Sequence, residues 1–291
     1  MTRCLNMTLA LFLAVIGTAV AQNSASRAGD SPEASRPAPT PIAAVASDED
    51  TTAEAALLNS INQSRQQAGI APVRIDGSLQ EAARLHARRM ASSSRLEHQF
   101  PGEPSLLHRI AGVSSLPLDR VGENIANVGC AADAHDLLMH SPPHRANILD
   151  AGFNTAGIAA LWSHGRLFIV QDFGHATQSY SAREISQRVG QALGQARAAE
   201  GLPELAPFTP AHLDEAACTL AKEDHPNARL IATAYTNRKV VTYTQSNPGI
   251  LPQGALNLLE NPNLRHYAVG SCYARSAAYP TGIYWVAILL Y

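Results

Sequence analysis

Val121-Gly122-Glu123-Asn124-Ile125-Ala126, followed by Ser141-Pro142-Pro143-His144-Arg145-Ala146-Asn147-Ile148-Leu149, decides how this chain is read. The two stretches set a carboxylate and an imidazole in short, turn-punctuated segments, and His98 stands just upstream. Three ionisable groups in one region belong to a cleft more naturally than to an apolar core, where each would need a partner. Ser141 can cap the turn that follows it, with Pro142 in the first helical position. His144 then falls in a first helical turn, where the positive end of the helix dipole disfavours an imidazolium. A neutral, ligand-capable ring is the preferred state there.

Working outward, Leu57, Leu58, Ile61 and Ala68 fall at helical spacing, and that helix stops near Gly69. Leu79, Ala82, Ala83, His86, Ala87 and Met90 form a second apolar stripe, on which His86 reads as a packed core histidine. Ala131 to Met139 predicts a third, shorter helix. Thr155–Leu161 and Leu167–Phe173 are strand-like runs joined by Ser163-His164-Gly165, a hairpin signal. Helices early and strands late predict an α+β unit in which helices cover an antiparallel sheet.

The second half repeats this plan weakly. Leu79-Gln80-Glu81-Ala82-Ala83 recurs as Leu213-Asp214-Glu215-Ala216-Ala217, and Leu167-Phe168-Ile169-Val170 resembles Ile283-Tyr284-Trp285-Val286. The last run, Gly282 to Tyr291, is almost wholly apolar, as a strand buried on both faces is. An internal duplication is the expected origin, although alanine-rich helices resemble one another by composition alone. Nothing between Lys222 and Arg265 reproduces Gly-Glu-Asn or Pro-His-Arg, so any site belongs to the first copy.

The chain opens on Met1-Thr2-Arg3, runs apolar from Leu9 to Val20 and ends that run in Ala19-Val20-Ala21, the pattern of a signal peptide over 1–21. The run is shorter than the roughly 20 residues that span a bilayer. No transmembrane segment is expected after cleavage, and a secreted or periplasmic location follows. Residues 22–52 are rich in Ala, Ser and Pro without apolar periodicity, the composition of a disordered linker. A net charge of −2 with two lysines, Lys222 and Lys239, supplies no basic stripe and argues against a nucleic-acid partner. Cys130, Cys218 and Cys272 survive cleavage and allow one bridge at most. Cys218 with Cys272, in the same half, is the expected pair and leaves Cys130 unpaired, while the count alone permits the other two pairings.

His98, Glu123 and His144 together could hold a divalent metal with a position open for water or ligand. Read singly, His98 can end the second helix, Glu123 can cap a short helix over Asn124 to Asn127, and Ser141 is best placed as a cap. Ser141 lacks a Gly-x-Ser-x-Gly elbow, which argues against a serine nucleophile.

With these residues in hand, the first half resembles a CAP-superfamily domain (cysteine-rich secretory proteins, antigen 5 and plant pathogenesis-related proteins), in its bacterial form. The resemblance runs from about Glu54 to Gly174 and rests on Leu57 to Arg65, His98, Gly122 to Ala126, Ser141 to Leu149, Gly157-Ile158 and Phe168 to Gly174. It implies a three-layer α-β-α sandwich over 53–176 with a central, mainly antiparallel sheet, followed over 180–291 by a smaller degenerate copy. It also implies a cleft lined by His98, Glu123 and His144, with Ser141, Asn124 and Arg145 beside them and Zn²⁺ as the candidate metal on His98 and His144. Leu138 stands where the family usually has a tryptophan, and Ser141 stands near the place of a second acidic cleft residue.

The expected function is an extracytoplasmic binding or interaction module for an envelope lipid, glycan or protein. The alternatives are a metal-dependent hydrolase of peptides or cell-wall material, with Glu123 as general base, and a structural envelope protein with a vestigial cleft. Enzymatic activity is not the leading expectation.

Overall fold

Asp50 starts the first helix by accepting the Ala53 N–H at 2.9 Å, an N-cap bond that satisfies one of the free donors of α1 (Thr51–Gln67). Gly69, with φ of +72°, follows the end of α1 in the left-handed conformation that glycine adopts without strain. The structure, a computed structural model, describes Val15–Thr18 and residues 48–291. The expected signal peptide and linker otherwise lie outside the described residues.

Two compact units are present. The first contains the short strands β1 (Val15–Thr18) and β2 (Asp48–Glu49), then α1 and β3 (Arg74–Ile75). It continues with α2 (Gly77–Ser93), α3 (Leu106–Val113) and the long β4 (Leu118–Val128). After them come α4 (Ala134–His140), α5 (Pro142–Ile148), β5 (Thr155–Ser163) and β6 (Arg166–Ala176). The main strands run β4-β6-β5, with β3 parallel to β5 and β6 antiparallel to it. The β5–β6 hairpin closes through His164 and Gly165, both at positive φ, as a two-residue type I′ connection requires.

Alternation along the strands builds three layers. Ile158, Ala160, Leu167 and Ile169 pack one face of the sheet under α1, α4 and α5. Ala159, Leu161, Phe168 and Val170 pack the other under α2. The stripe read from the sequence is the buried face of α2, His86 included. This helix lies so close to β5 that a Cβ at Gly157 would sit 2.1 Å from the Leu79 carbonyl carbon. Strand β2 pairs with β5 and α1 starts at Thr51, inside the stretch assigned to the linker.

The second unit comprises Ser114–Asp119 and Ala176–Tyr291. Its elements are α6 (Ala182–Ala199), β7 (Ala206–Pro207), α7 (Leu213–Lys222), α8 (Ala228–Ala232), β8 (Lys239–Gln245), α9 (Gln253–Leu259), β9 (His266–Ala274) and β10 (Ile283–Leu290). The strand order is β8-β10-β9-β7, with β7 parallel to β9, which reproduces β4-β6-β5-β3 of the first unit. Strand β10 lies between β8 and β9 and is buried along nearly its whole length, in keeping with its apolar sequence. Helices α6 and α9 cover one face and α7 and α8 the other. Cys218 on α7 is bonded to Cys272 on β9. Cys130 is also disulfide-bonded, so the unpaired thiol expected from the cysteine count is corrected.

Candidate functional site

Glu123 belongs to β4, so the short helix considered for Asn124 to Asn127 is replaced by strand. A run of six buried residues, Val121 to Ala126, explains why: β4 is an inner strand covered on both faces, and such strands lose the alternation that marks them in sequence. The Glu123 side chain is 1% exposed. Its Oε1 accepts from His98 Nδ1 at 2.8 Å, and its Oε2 accepts from the Arg109 guanidinium. Arg109, on α3, also donates to the His98 carbonyl at 2.9 Å, so one side chain fixes both the carboxylate and the loop that carries the ring.

Behind this pair lies a second one. His86 on α2 bonds Glu103 Oε1 through Nδ1 and the Glu97 carbonyl through Nε2, both at 2.9 Å, and its Nε2 is 3.9 Å from Glu123 Oε2. Glu103 also accepts the Phe100 N–H at 2.8 Å. Asp172 on β6 completes the group. It is fully buried, neither oxygen meets an N–H or hydroxyl donor, and the group it faces is the Glu123 carboxyl.

His144 sits in the first turn of α5, and Ser141 precedes that helix as expected. The Ser141 hydroxyl does not cap the backbone, however; it bonds His144 Nδ1 at 2.8 Å and fixes the ring instead. Asn124 donates to the His144 carbonyl and to Gln171 Oε1, each at 3.1 Å. Asn147 donates to Asn124 Oδ1 at 2.9 Å and to the Glu123 carbonyl at 3.2 Å. These amides tie β4, β6 and α5 together, and Asn124 is the residue they share. Arg145 is exposed, and its backbone N–H donates to the Ser141 carbonyl at 2.9 Å.

The electrostatics follow from burial and contact. Burial opposes the charge of Glu123, yet the His98 hydrogen bond and Arg109 outweigh it and hold the carboxyl below its ordinary range. Glu103 is lowered in the same way, against burial, by His86 and the Phe100 N–H. Asp172 moves the opposite way: burial, then the adjacent Glu123 charge, raise it well above the usual carboxylate range. Burial and the nearby His98 lower His144 to about 4, so its ring is neutral near pH 7.

Glu123 and His144 are buried, and His98, whose side chain is 17% exposed, reaches the surface. The Nε2 atoms of His98 and His144 are each buried without a hydrogen-bond partner. Two imidazole lone pairs suit a transition metal, but both Glu123 oxygens are engaged by His98 and Arg109. A catalytic zinc site needs a third protein ligand, and these two bonds compete with a metal for the Glu123 oxygens. Among the described residues no group of three His, Cys, Asp or Glu side chains is placed to hold a metal ion.

Residues 58–173, which carry this network, match the model of the cysteine-rich secretory protein (CAP) family. The first unit belongs to that family. Over 116 residues the chain is 31% identical to the uncharacterised protein YkwD of Bacillus subtilis strain 168, a match that takes in 39% of this chain and 44% of the relative. Among solved structures, an outer surface protein from Borrelia burgdorferi aligns with 44% of this chain and 98% of its own, at 18% identity and a TM-score of 0.42. Na-ASP-1 aligns with 82% of this chain and 89% of its own, at 7% identity and a TM-score of 0.47. No helix among the described residues is long and apolar enough to cross a membrane.

Arg109, Glu103 and Asp172 are members of the CAP-domain network that sequence reading missed. The signal for Asp172 was present: a carboxylate inside the mostly apolar run from Leu167 to Phe173, which also holds Gln171, is almost never buried without a partner. Arg109 and Glu103 stand in a polar segment, where nothing separates them from solvated charges.

Proposed function

We propose that this chain is an exported binding module whose CAP domain takes a hydroxyl-bearing envelope ligand, a glycan before a lipid or a protein, at His98 and His144. The observation that carries the reading is the pair of buried, unpartnered Nε2 atoms on rings whose Nδ1 atoms are already fixed, by Glu123 and by Ser141. An unpaired buried polar atom costs about 1–3 kcal/mol, which a ligand supplying the missing hydrogen bond recovers. A hydroxyl both donates and accepts, so it satisfies an imidazole nitrogen in either tautomer.

The hydrolase reading requires a Glu123 free to take a proton from water, and its engagement with His98 and Arg109 speaks against that role. Support for the second unit as a degenerate copy of the first comes from the shared strand order and the parallel β7–β9 pairing. On this reading it serves as scaffold.

The test is ¹⁵N NMR of the histidine rings during titration with soluble cell-wall glycan fragments, on protein purified without an affinity tag. Saturable shifts of His98 and His144, abolished by His98→Ala, are expected. Binding that survives His98→Ala, or shifts confined to exposed histidines, would refute the assignment. Elemental analysis of the same sample is expected to find no stoichiometric metal.

A further inference from the structure

Asp172 poses a specific problem. It is a fully buried carboxyl with no N–H or hydroxyl donor on either oxygen, set against another carboxyl whose two oxygens are already held by His98 and Arg109. Two adjacent carboxylates repel strongly in a medium where water is excluded. One shared proton removes the conflict, because a carboxylic acid is a donor and its neighbour an acceptor.

The surrounding charges decide where that proton resides. Glu123 has a cation and an imidazole N–H as donors, which stabilise its ionised form, and Asp172 has neither. His86 bonds the Glu103 carboxylate and the Glu97 carbonyl through its two nitrogens, so Glu103 has its own partner apart from Asp172. An ionised Asp172 would add a further anion beside Glu123 and Glu103.

We infer that Asp172 is a positioning residue of the cleft, a neutral carboxylic acid that donates to Glu123 and so holds Glu123, as a single anion, against His98 and Arg109. The inference rests on the cleft reading above, yet its test needs no ligand, so failure of one leaves the other measurable.

The sign of the pH dependence separates this from an ordinary structural role. A carboxyl that stays protonated in the folded state binds a proton that the unfolded chain releases. Its presence therefore lowers stability as pH rises above the ordinary carboxylate range. The groups acting on it are Glu123 on β4, Arg109 on α3, and Glu103 in the loop between α2 and α3. In Asp172→Asn the amide keeps the donor to Glu123 and cannot ionise. The variant is expected to melt about 4 °C or more above wild type near neutral pH, with the gap closing towards pH 4. A variant less stable than wild type near neutral pH would mean that Asp172 is ionised and paired, and would overturn the inference.

Two further readouts guard against a folding defect. Wild type is expected to show a protonated-carboxyl C=O stretch in its infrared spectrum at neutral pH, missing from Asp172→Asn; its absence from wild type would overturn the inference independently. Asp172→Leu, which cannot donate, is expected to shift the His98 Nδ1–H resonance, while Asp172→Asn preserves it. Equal shifts in both variants would remove the positioning role.

Discussion

In the first unit Arg65, fully buried in the last turn of α1, donates from Nε to the Ala71 carbonyl at 2.8 Å. Its terminal nitrogens reach the carbonyls of Ile148, Asp150 and Phe153 at 2.8–3.0 Å. In the second unit Arg197, equally buried near the end of α6, donates to Pro203 at 2.6 Å and to Leu259 and Asn261 at 2.9 and 3.0 Å. Each arginine ties down the turn after its own helix and the chain leaving a later short helix, α5 or α9. The units also share a glycine where the second helix meets its strand, Gly157 against Leu79 and Gly270 against Leu213. They part at the centre. The first buries Glu103, Glu123, Asp172, His86 and Arg109 together, whereas in the second the disulfide joins α7 to β9 and Trp285 fills the core. A skeleton held by backbone carbonyls and close packing tolerates the exchange of an ionic cluster for apolar contacts, because neither device depends on the cluster.

The disulfide offers the sharpest way to break this comparison. Cys218 and Cys272 are 54 residues apart, and closing a loop of that length stabilises by about 4 kcal/mol in the chain-entropy model. Cys218→Ser/Cys272→Ser should therefore lower the urea midpoint of the second unit and leave the first unchanged. Trp162 and Trp285, one in each unit, let fluorescence follow the two transitions separately in Trp→Phe backgrounds. A common shift of both transitions would show that the units do not unfold on their own terms.

The arginines come next. Removing a buried guanidinium leaves several carbonyls unsatisfied, a loss of about 3 kcal/mol or more. Arg65→Met should weaken the first unit and Arg197→Met the second. Arg65 satisfies four carbonyls to the three of Arg197, so its loss is expected to cost more. The reverse order would place the main restraint on those loops elsewhere.

What the sequence revealed tracks the same division. Helices α1 and α2, the hairpin and the last strand were legible because each has one dominant face or an unbroken apolar run, as in the α2 stripe and in Ile283–Leu290. Strand β4 was not, because a strand buried on both sides and interrupted by Glu123 and Asn124 shows no period of two. His98, Glu123 and His144 were proposed as a site from the sequence. Their partners Arg109 and Asp172 were missed, since only the fold brings α3 and β6 to the same carboxylate. Ser141 illustrates a subtler limit: its position before α5 is as read, but its hydroxyl can serve either the helix backbone or His144, and packing chooses the ring.

The smallest effect concerns acid. The ring of His144 titrates at about 4 in the folded first unit, against 6.5 when unperturbed. Between those values the unfolded chain binds a proton that the folded ring refuses. Stability of the first unit therefore rises with pH across the window, and is lost as pH falls from 6.5 towards 4. His144→Gln removes this component and should flatten the slope, at some cost in absolute stability from the lost Ser141 contact. His212, His225 and His266 of the second unit are all exposed, so its midpoint carries no matching slope from a buried ring. Urea midpoints of both transitions, followed from neutral pH down through the window, check the difference. An unchanged slope in His144→Gln would move the acid sensitivity to the Glu123 network, where protonating Glu123 breaks its bonds to His98 and Arg109.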